Sequence, residues 1–177
     1  MEWESEYLNG GMSRNGKEYN NNGVLIYEGE YSNGQRNGKG KEYDKDGNLL
    51  FEGEFLNGQK WNGKGKEYDK DDNILFEGEY LNGQRNGKGK EYNNDGNLLF
   101  EGEYLNGQRW NGKGKEYNYD GNLRFEGEYL NGQRNGKGKE YDSNGNLLFE
   151  GEYLNGQNWN GKGKEYNDNG NLMKTVK

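Results

Sequence analysis

The amino-acid sequence predicts an all-β fold: an elongated, single-layer, twisted antiparallel sheet of about seven tandem β-hairpins. Three observations carry that expectation. A Glu-Gly-Glu triplet recurs at Glu28, Glu52, Glu77, Glu101, Glu126 and Glu150, with a worn copy at Glu4, so the period is 24 or 25 residues. Within each period apolar and charged residues alternate, as in Leu49-Leu-Phe-Glu-Gly-Glu-Phe-Leu56, which is strand periodicity. Each such run ends on Asn-Gly, a dipeptide whose tolerance of positive φ makes it the strongest short signal for a two-residue reversal.

The chain reads as one repeat array, 1–177. Residues 4–27 are a degenerate N-terminal cap, in which Ser5 replaces the middle glycine of the triplet. A terminal repeat has a single neighbour to match, so its pattern relaxes. Residues 28–172 hold six regular repeats, and 173–177 form a C-terminal tail. In a regular unit the strand Leu49–Leu56 reverses at Asn57-Gly58 and returns as Gly63-Lys-Gly-Lys-Glu-Tyr68. A polar Asp-Lys-Asp-Asp-Asn73 turn then leads into the next unit. Helix is excluded by glycine density, with 33 glycines in 177 residues.

One hairpin is marginal in water, because each residue costs about 1–2 kcal/mol to order and a buried apolar side chain returns about 1.5–3 kcal/mol. Stacked hairpins share that burden, and Gly53, Gly63 and Gly65 leave a side-chain-free track on which aromatic rings can lie. A second period sits inside the first: alternate copies carry one extra loop residue, Trp61, Trp110 and Trp159, spaced by 49. A parallel β-solenoid with one coil per repeat would use the same glycines and turns and is the alternative architecture.

Composition narrows function. Only 27% of residues are hydrophobic, too few for a layered core, while the regularly placed aromatics (14%) argue against disorder. Cysteine and histidine are both absent, removing thiolate chemistry and the usual neutral-pH base and metal ligand. Net charge is −7 with both signs mixed in every unit, so bulk attraction to nucleic acid is not expected. The N-terminus is acidic where a signal peptide needs base followed by an apolar run, and no segment has the roughly 18 apolar residues of a spanning helix. The expectation is a cytoplasmic protein, free or peripheral to a membrane.

Tyr/Phe-Glu-Gly-Glu-Tyr-x-Asn-Gly-x-x-x-Gly-x-Gly resembles the MORN (membrane occupation and recognition nexus) repeat, and Gly-Lys-Gly-Lys-Glu-Tyr-x-x-x-Gly-Asn-Leu is similar to its bacterial variant. The likeness runs through residues 27–173. It implies antiparallel hairpins with an aromatic-lined groove, and roles in scaffolding, protein binding, self-association or contact with anionic phospholipid.

Three motifs resemble chemical sites but have plainer readings. Gly58-x-x-x-x-Gly63-Lys64 matches most of a phosphate-binding loop, but Gly65 stands where Ser or Thr must hold magnesium, and no helix follows. Asp44-Lys-Asp46-Gly-Asn48 opens like a calcium loop, yet its counterparts drift to Asn93 and Asp142-Ser-Asn144, as turn residues can and ligands cannot. The pair Glu52 and Glu54 recurs in every regular copy, whereas hydrolysis needs one asymmetric site with two separated pKa values. No catalytic, cofactor or metal residue is therefore assigned, and no small-molecule substrate.

What remains is binding. The leading expectation is a non-enzymatic scaffold for a protein partner or a second copy, using the ring positions Phe55, Tyr80, Tyr104, Tyr129 and Tyr153 and the loop residues Trp61, Trp110 and Trp159. The alternative is an adaptor for anionic phospholipid through a lysine stripe: Lys64, Lys66, Lys88, Lys90, Lys113, Lys115, Lys137 and Lys139.

Overall fold

A computed structural model describes residues 2–8, 11–166 and 172–176, with side chains from 15 to 164. Among these residues fifteen strands follow one another in chain order and every described pairing is antiparallel. The chain divides into two compact units, Met1–Gly87 and Lys88–Lys177. The first contains β1 (Glu2–Leu8), β2 (Gly11–Tyr19), β3 (Leu25–Ser32), β4 (Gln35–Tyr43), β5 (Leu49–Leu56), β6 (Gln59–Tyr68) and β7 (Ile74–Leu81). The division falls within β8 (Gln84–Tyr92). The second unit contains β9 (Leu98–Leu105), β10 (Gln108–Tyr117), β11 (Leu123–Leu130), β12 (Gln133–Tyr141), β13 (Leu147–Leu154), β14 (Gln157–Tyr166) and β15 (Leu172–Val176). Antiparallel neighbours joined by tight reversals set aside the parallel solenoid, which needs long crossovers.

Both turn types follow from their residues. Asn57 and Gly58 take φ of 51° and 83°, and the same pair of positive angles recurs at each Asn-Gly reversal from Asn33 to Gly156. Two successive positive angles match the right-handed strand twist, as in a type I′ turn. Between hairpins, Asp44 accepts from the amides of Asp46 and Asn48 at its Oδ1, while its own amide donates to the Asn48 carbonyl at 2.9 Å. Asp69 and Asp142 do the same, so this segment is turn chemistry.

Strand register places glycine against glycine. In the first unit Gly16 opposes Gly29, Gly29 opposes Gly40 and Gly40 opposes Gly53. A Cβ on Gly53 would stand 2.1 Å from the Asn62 carbonyl oxygen and 2.6 Å from the Gly63 Cα, so the backbones approach too closely for any side chain. The extra tryptophan changes this register. In β5–β6 Phe55 pairs with Lys60 and Glu54 with Asn62, leaving Trp61 as a one-residue bulge. In the shorter β3–β4 hairpin Tyr31 pairs with Arg36 and Gly29 with Gly40, so a wider bulge holds Asn37, Gly38 and Lys39 opposite Glu30. Gly38 takes φ of 100° there, and a Cβ would meet the Glu30 carboxylate at 2.0 Å.

Candidate functional site

Strand alternation gives each unit two unlike faces. Phe51, Gly53 and Phe55 share one parity on β5, and Leu50, Glu52 and Glu54 share the other. On the first face the rings make an unbroken edge-to-face series. In the first unit Tyr31 meets Tyr27 at 5.3 Å, Tyr27 meets Phe55 at 5.0 Å, and Phe55 meets Phe51 at 5.2 Å between centroids. The series continues through Tyr80 to Phe76, at 5.8 Å for each step. In the second unit it runs from Tyr104 through Phe100, Tyr129, Phe125 and Tyr153 to Phe149. Each such contact is worth about 0.5–1.5 kcal/mol beyond the area it buries. Glycine makes the series possible: a Cβ on Gly65 would lie 2.7 Å from the Phe51 ring.

Over the rings lies a row of cations. Arg36, Lys60, Arg85, Arg109 and Arg134 stand 4.1–5.7 Å from the centroids of Tyr27, Phe51, Phe76, Phe100 and Phe125. Each also meets a glutamate two strands back: Arg36 with Glu18 at 2.6 Å, Lys60 with Glu42 at 2.7 Å, Arg109 with Glu91 at 2.8 Å and Arg134 with Glu116 at 2.6 Å, together with Arg85 and Glu67. A tyrosine hydroxyl donates to the same carboxylate from Tyr31, Tyr80, Tyr104 and Tyr129.

The clamp is visible in the electrostatics. Arg36 holds the Glu18 carboxyl below its usual range, against the opposing effect of burial. At Glu116 burial pushes upward but is outweighed by the hydrogen bonds from Arg134 and Tyr129. The phenols of Tyr31, Tyr80 and Tyr129 move up, first through burial and then through the bond to their glutamate. These glutamates were not singled out in the sequence. Their signal was parity: Glu67 shares the phase of Gly63 and Gly65, not that of Lys64 and Lys66.

The opposite face carries the alternating rows of Glu and Lys that flank the glycines. Glu52 is in register with Lys41 on one side and Lys64 on the other, and Lys64 in turn faces Glu79. In the second unit Lys113 stands between Glu101 and Glu128, Lys139 between Glu126 and Glu150, while Lys115 faces Glu126 and Lys137 faces Glu152. Contacts are loose and exposed, as at Lys41–Glu52 (3.3 Å), Lys90–Glu101 (3.3 Å) and Lys139–Glu150 (3.5 Å). Pairs of this kind contribute about 0–1 kcal/mol.

Between the two signs the glycine rows form an open floor. In the first unit this gives a channel of about 400 Å³ lined by Lys17, Glu28, Gly29, Lys39, Gly40 and Glu52, among others. In the second it gives one of about 670 Å³, with Leu98 and Leu99 at one end and Lys115, Glu126, Gly138 and Glu150 along it.

The expected ring positions divide. Phe55, Tyr104 and Tyr153 are each 3% exposed and belong to the core, and Tyr80 and Tyr129 are half-buried against it. The two channels are accordingly lined mainly by glutamate, lysine and glycine, with Asn15 in the first and Leu98 and Leu99 in the second, and by no ring. Of the expected lysines, Lys64, Lys66, Lys88, Lys113, Lys115 and Lys137 are exposed, and Lys90 and Lys139 are half-buried beside glutamates.

The tryptophans also divide. Trp61 lies over the next Asn-Gly turn, within 3.7 Å of where a Cβ on Gly83 would sit, and its carbonyl accepts from the Gly83 amide at 2.9 Å. Trp110 repeats this at Gly132. Trp159 is 70% exposed. Asn62 and Asn111 complete the link between hairpins: each donates to a glutamate, Glu54 or Glu103, and accepts from the amide of Asn82 or Asn131.

Comparison with protein families agrees with this architecture. The MORN repeat matches residues 27–49, 51–74, 76–98 and 125–147, and the MORN repeat variant matches residues 15–33, 110–131 and 159–176. Comparison with curated proteins returned no match.

Proposed function

Because the chain belongs to the MORN-repeat family, we propose that it is a non-enzymatic scaffold whose charged channels receive an extended polypeptide segment of another protein. The observation that carries this reading is the pairing of a glycine floor with alternating rows of Glu and Lys. A flat floor admits a backbone at close range, and rows of both signs select a segment whose own charges alternate, since like charges placed together are rejected. The buried rings hold that surface rigid, and Trp61 and Trp110 brace the turns at its margin.

Anionic headgroups would be served by lysines alone. Here glutamates stand in register with Lys64, Lys113 and Lys139 on both sides, which opposes attraction to a uniformly negative surface. The protein-binding reading is the better supported.

A displayed library of random peptides, selected on the immobilised full chain, tests this. Enrichment of segments with alternating acidic and basic residues is expected, and the double variant Lys115→Glu/Lys139→Glu should abolish it while leaving the circular dichroism unchanged. No enrichment, or enrichment indifferent to that charge reversal, overturns the reading.

A further inference from the structure

Among the described residues one position breaks the row of cations over the rings. Where five repeats place Arg or Lys nine residues after the first ring of the strand, the last places Asn158 after Phe149. Three consequences are visible. Phe149 is 9% exposed, whereas Phe51, Phe76, Phe100 and Phe125 are all at 0%. Glu140 is approached by Arg134 at 3.5 Å, while its counterpart Glu42 is gripped by Arg36 and Lys60 at 2.7 Å each. The hydroxyl of Tyr153, thirteen residues after Glu140, is buried without a hydrogen-bond partner, although Tyr129 and Tyr80 bond the equivalent glutamates. A cavity of about 380 Å³ opens there, lined by Glu140, Phe149, Asn158, Trp159, Gly161 and Lys164, among others.

We propose that this seat receives the guanidinium of an arginine side chain from a partner polypeptide. Every element that holds a cation elsewhere in the chain is present except the cation. The Phe149 ring offers its face and Glu140 offers a carboxylate for paired N–H bonds, while the Tyr153 hydroxyl holds the sequence position from which Tyr80 and Tyr129 donate to their own glutamates. Arginine fits better than lysine. Four of the five filled seats use it, and its planar fork can stack on a ring while donating to an acceptor in the same plane. Trp159, exposed at the mouth, supplies apolar surface for the stem of the incoming side chain. The net charge of −7 favours the approach of a basic segment. This inference rests on the scaffold reading only in taking a polypeptide as the ligand. The groups that would hold the guanidinium, Phe149 and Glu140, share the phase of the rings, whereas the channels are lined by residues of the other phase and by glycine.

The test is a titration of the full chain with the capped tripeptide Gly-Arg-Gly, and with its citrulline counterpart, followed at the Trp159 indole resonance. The arginine peptide should produce a saturable shift, and citrulline, equal in shape but neutral, should bind at least about tenfold more weakly. Asn158→Arg fills the seat from within, as Arg109 does in its own repeat, and should abolish the shift. Glu140→Gln should weaken binding by about tenfold or more. The reverse change, Arg109→Asn, should create a second responsive site at Trp110. Absence of a saturable shift, equal binding of citrulline, or full binding by Asn158→Arg overturns the proposal. Lys115→Glu/Lys139→Glu should leave this titration unaltered, so the seat and the channel can fail separately.

Discussion

Arg134 and Glu116 meet at 2.6 Å across eighteen residues of chain, with the guanidinium carbon 4.1 Å from the centroid of the Phe125 ring between them in sequence. The pair joins hairpins that share no strand, so it transmits order along the array where backbone bonding reaches only the adjacent strand. It is half-buried, with side-chain exposures of 22% and 38%, so desolvation and attraction are both moderate.

Arg134→Ala should therefore destabilise the second unit by about 1–3 kcal/mol, losing a charge-assisted hydrogen bond and the cover over Phe125. Lys139→Ala, which removes a partner held loosely at 3.5 Å from Glu150, should stay within about 0.5 kcal/mol. Urea denaturation of both variants checks the contrast.

The pH dependence should have two limbs. Glu18, Glu67 and Glu116 have folded pKa values below the ordinary 4.5, so their contribution is complete above that value and is lost as pH falls through the lowered folded ones. Tyr27 and Tyr153 are pushed up by burial to about 12, so their contribution is complete below pH 10 and drains away as pH rises towards 12. Thermal melts across pH should show a plateau falling on both sides, and the tyrosinate absorbance contributed by the buried Tyr27 and Tyr153 should appear in step with alkaline unfolding.

Gly53→Ala should be among the most damaging small substitutions, at about 2 kcal/mol or more, because the new methyl would overlap the Asn62 carbonyl across the strand pair. At Gly58, where nothing lies within 4 Å, Ala should cost about 1 kcal/mol through its positive φ alone. Comparing the two melting temperatures separates close approach from backbone strain.

Trp61→Ala should cost about 1–2 kcal/mol by uncovering the Asn82-Gly83 turn, while Trp159→Ala should leave the midpoint unchanged within about 0.5 kcal/mol. Acrylamide should quench Trp159 far more readily than Trp61 or Trp110. Equal quenching of all three would mean that the bracing role is wrong.

Sedimentation with phosphatidylserine or phosphoinositide vesicles at physiological salt should recover no more protein than neutral vesicles do. Selective pelleting lost in Lys113→Ala/Lys137→Ala would instead favour the lipid adaptor.

Much of this was legible in the linear chain because its cues are local. Period, alternation and Asn-Gly chemistry act over a few residues, and they specify hairpins such as β5–β6 and their order without reference to anything distant. The side-chain-free glycine track was likewise legible in the repeat, whereas the register that sets glycine against glycine came from the strand pairing. The ring positions were found, but their role was not. Phe55 and Glu52 alternate on one strand, and nothing in that alternation says which face closes over itself and which remains open. That choice depends on edge-to-face packing between rings 24 or more residues apart, such as Tyr27 and Phe55.

The sequence alone determined a β-hairpin array and the absence of cysteine and histidine chemistry, since both are properties of short segments and composition. Only the tertiary structure decided which charges are spent inside the molecule and which face outward. Glu67 and Glu52 look alike in the chain, yet one is clamped by Arg85 and Tyr80 while the other lies in the open beside Lys41. Strand parity already separates the two, but which parity closes over itself depends on the register between hairpins, and that register exists only once neighbouring units have stacked.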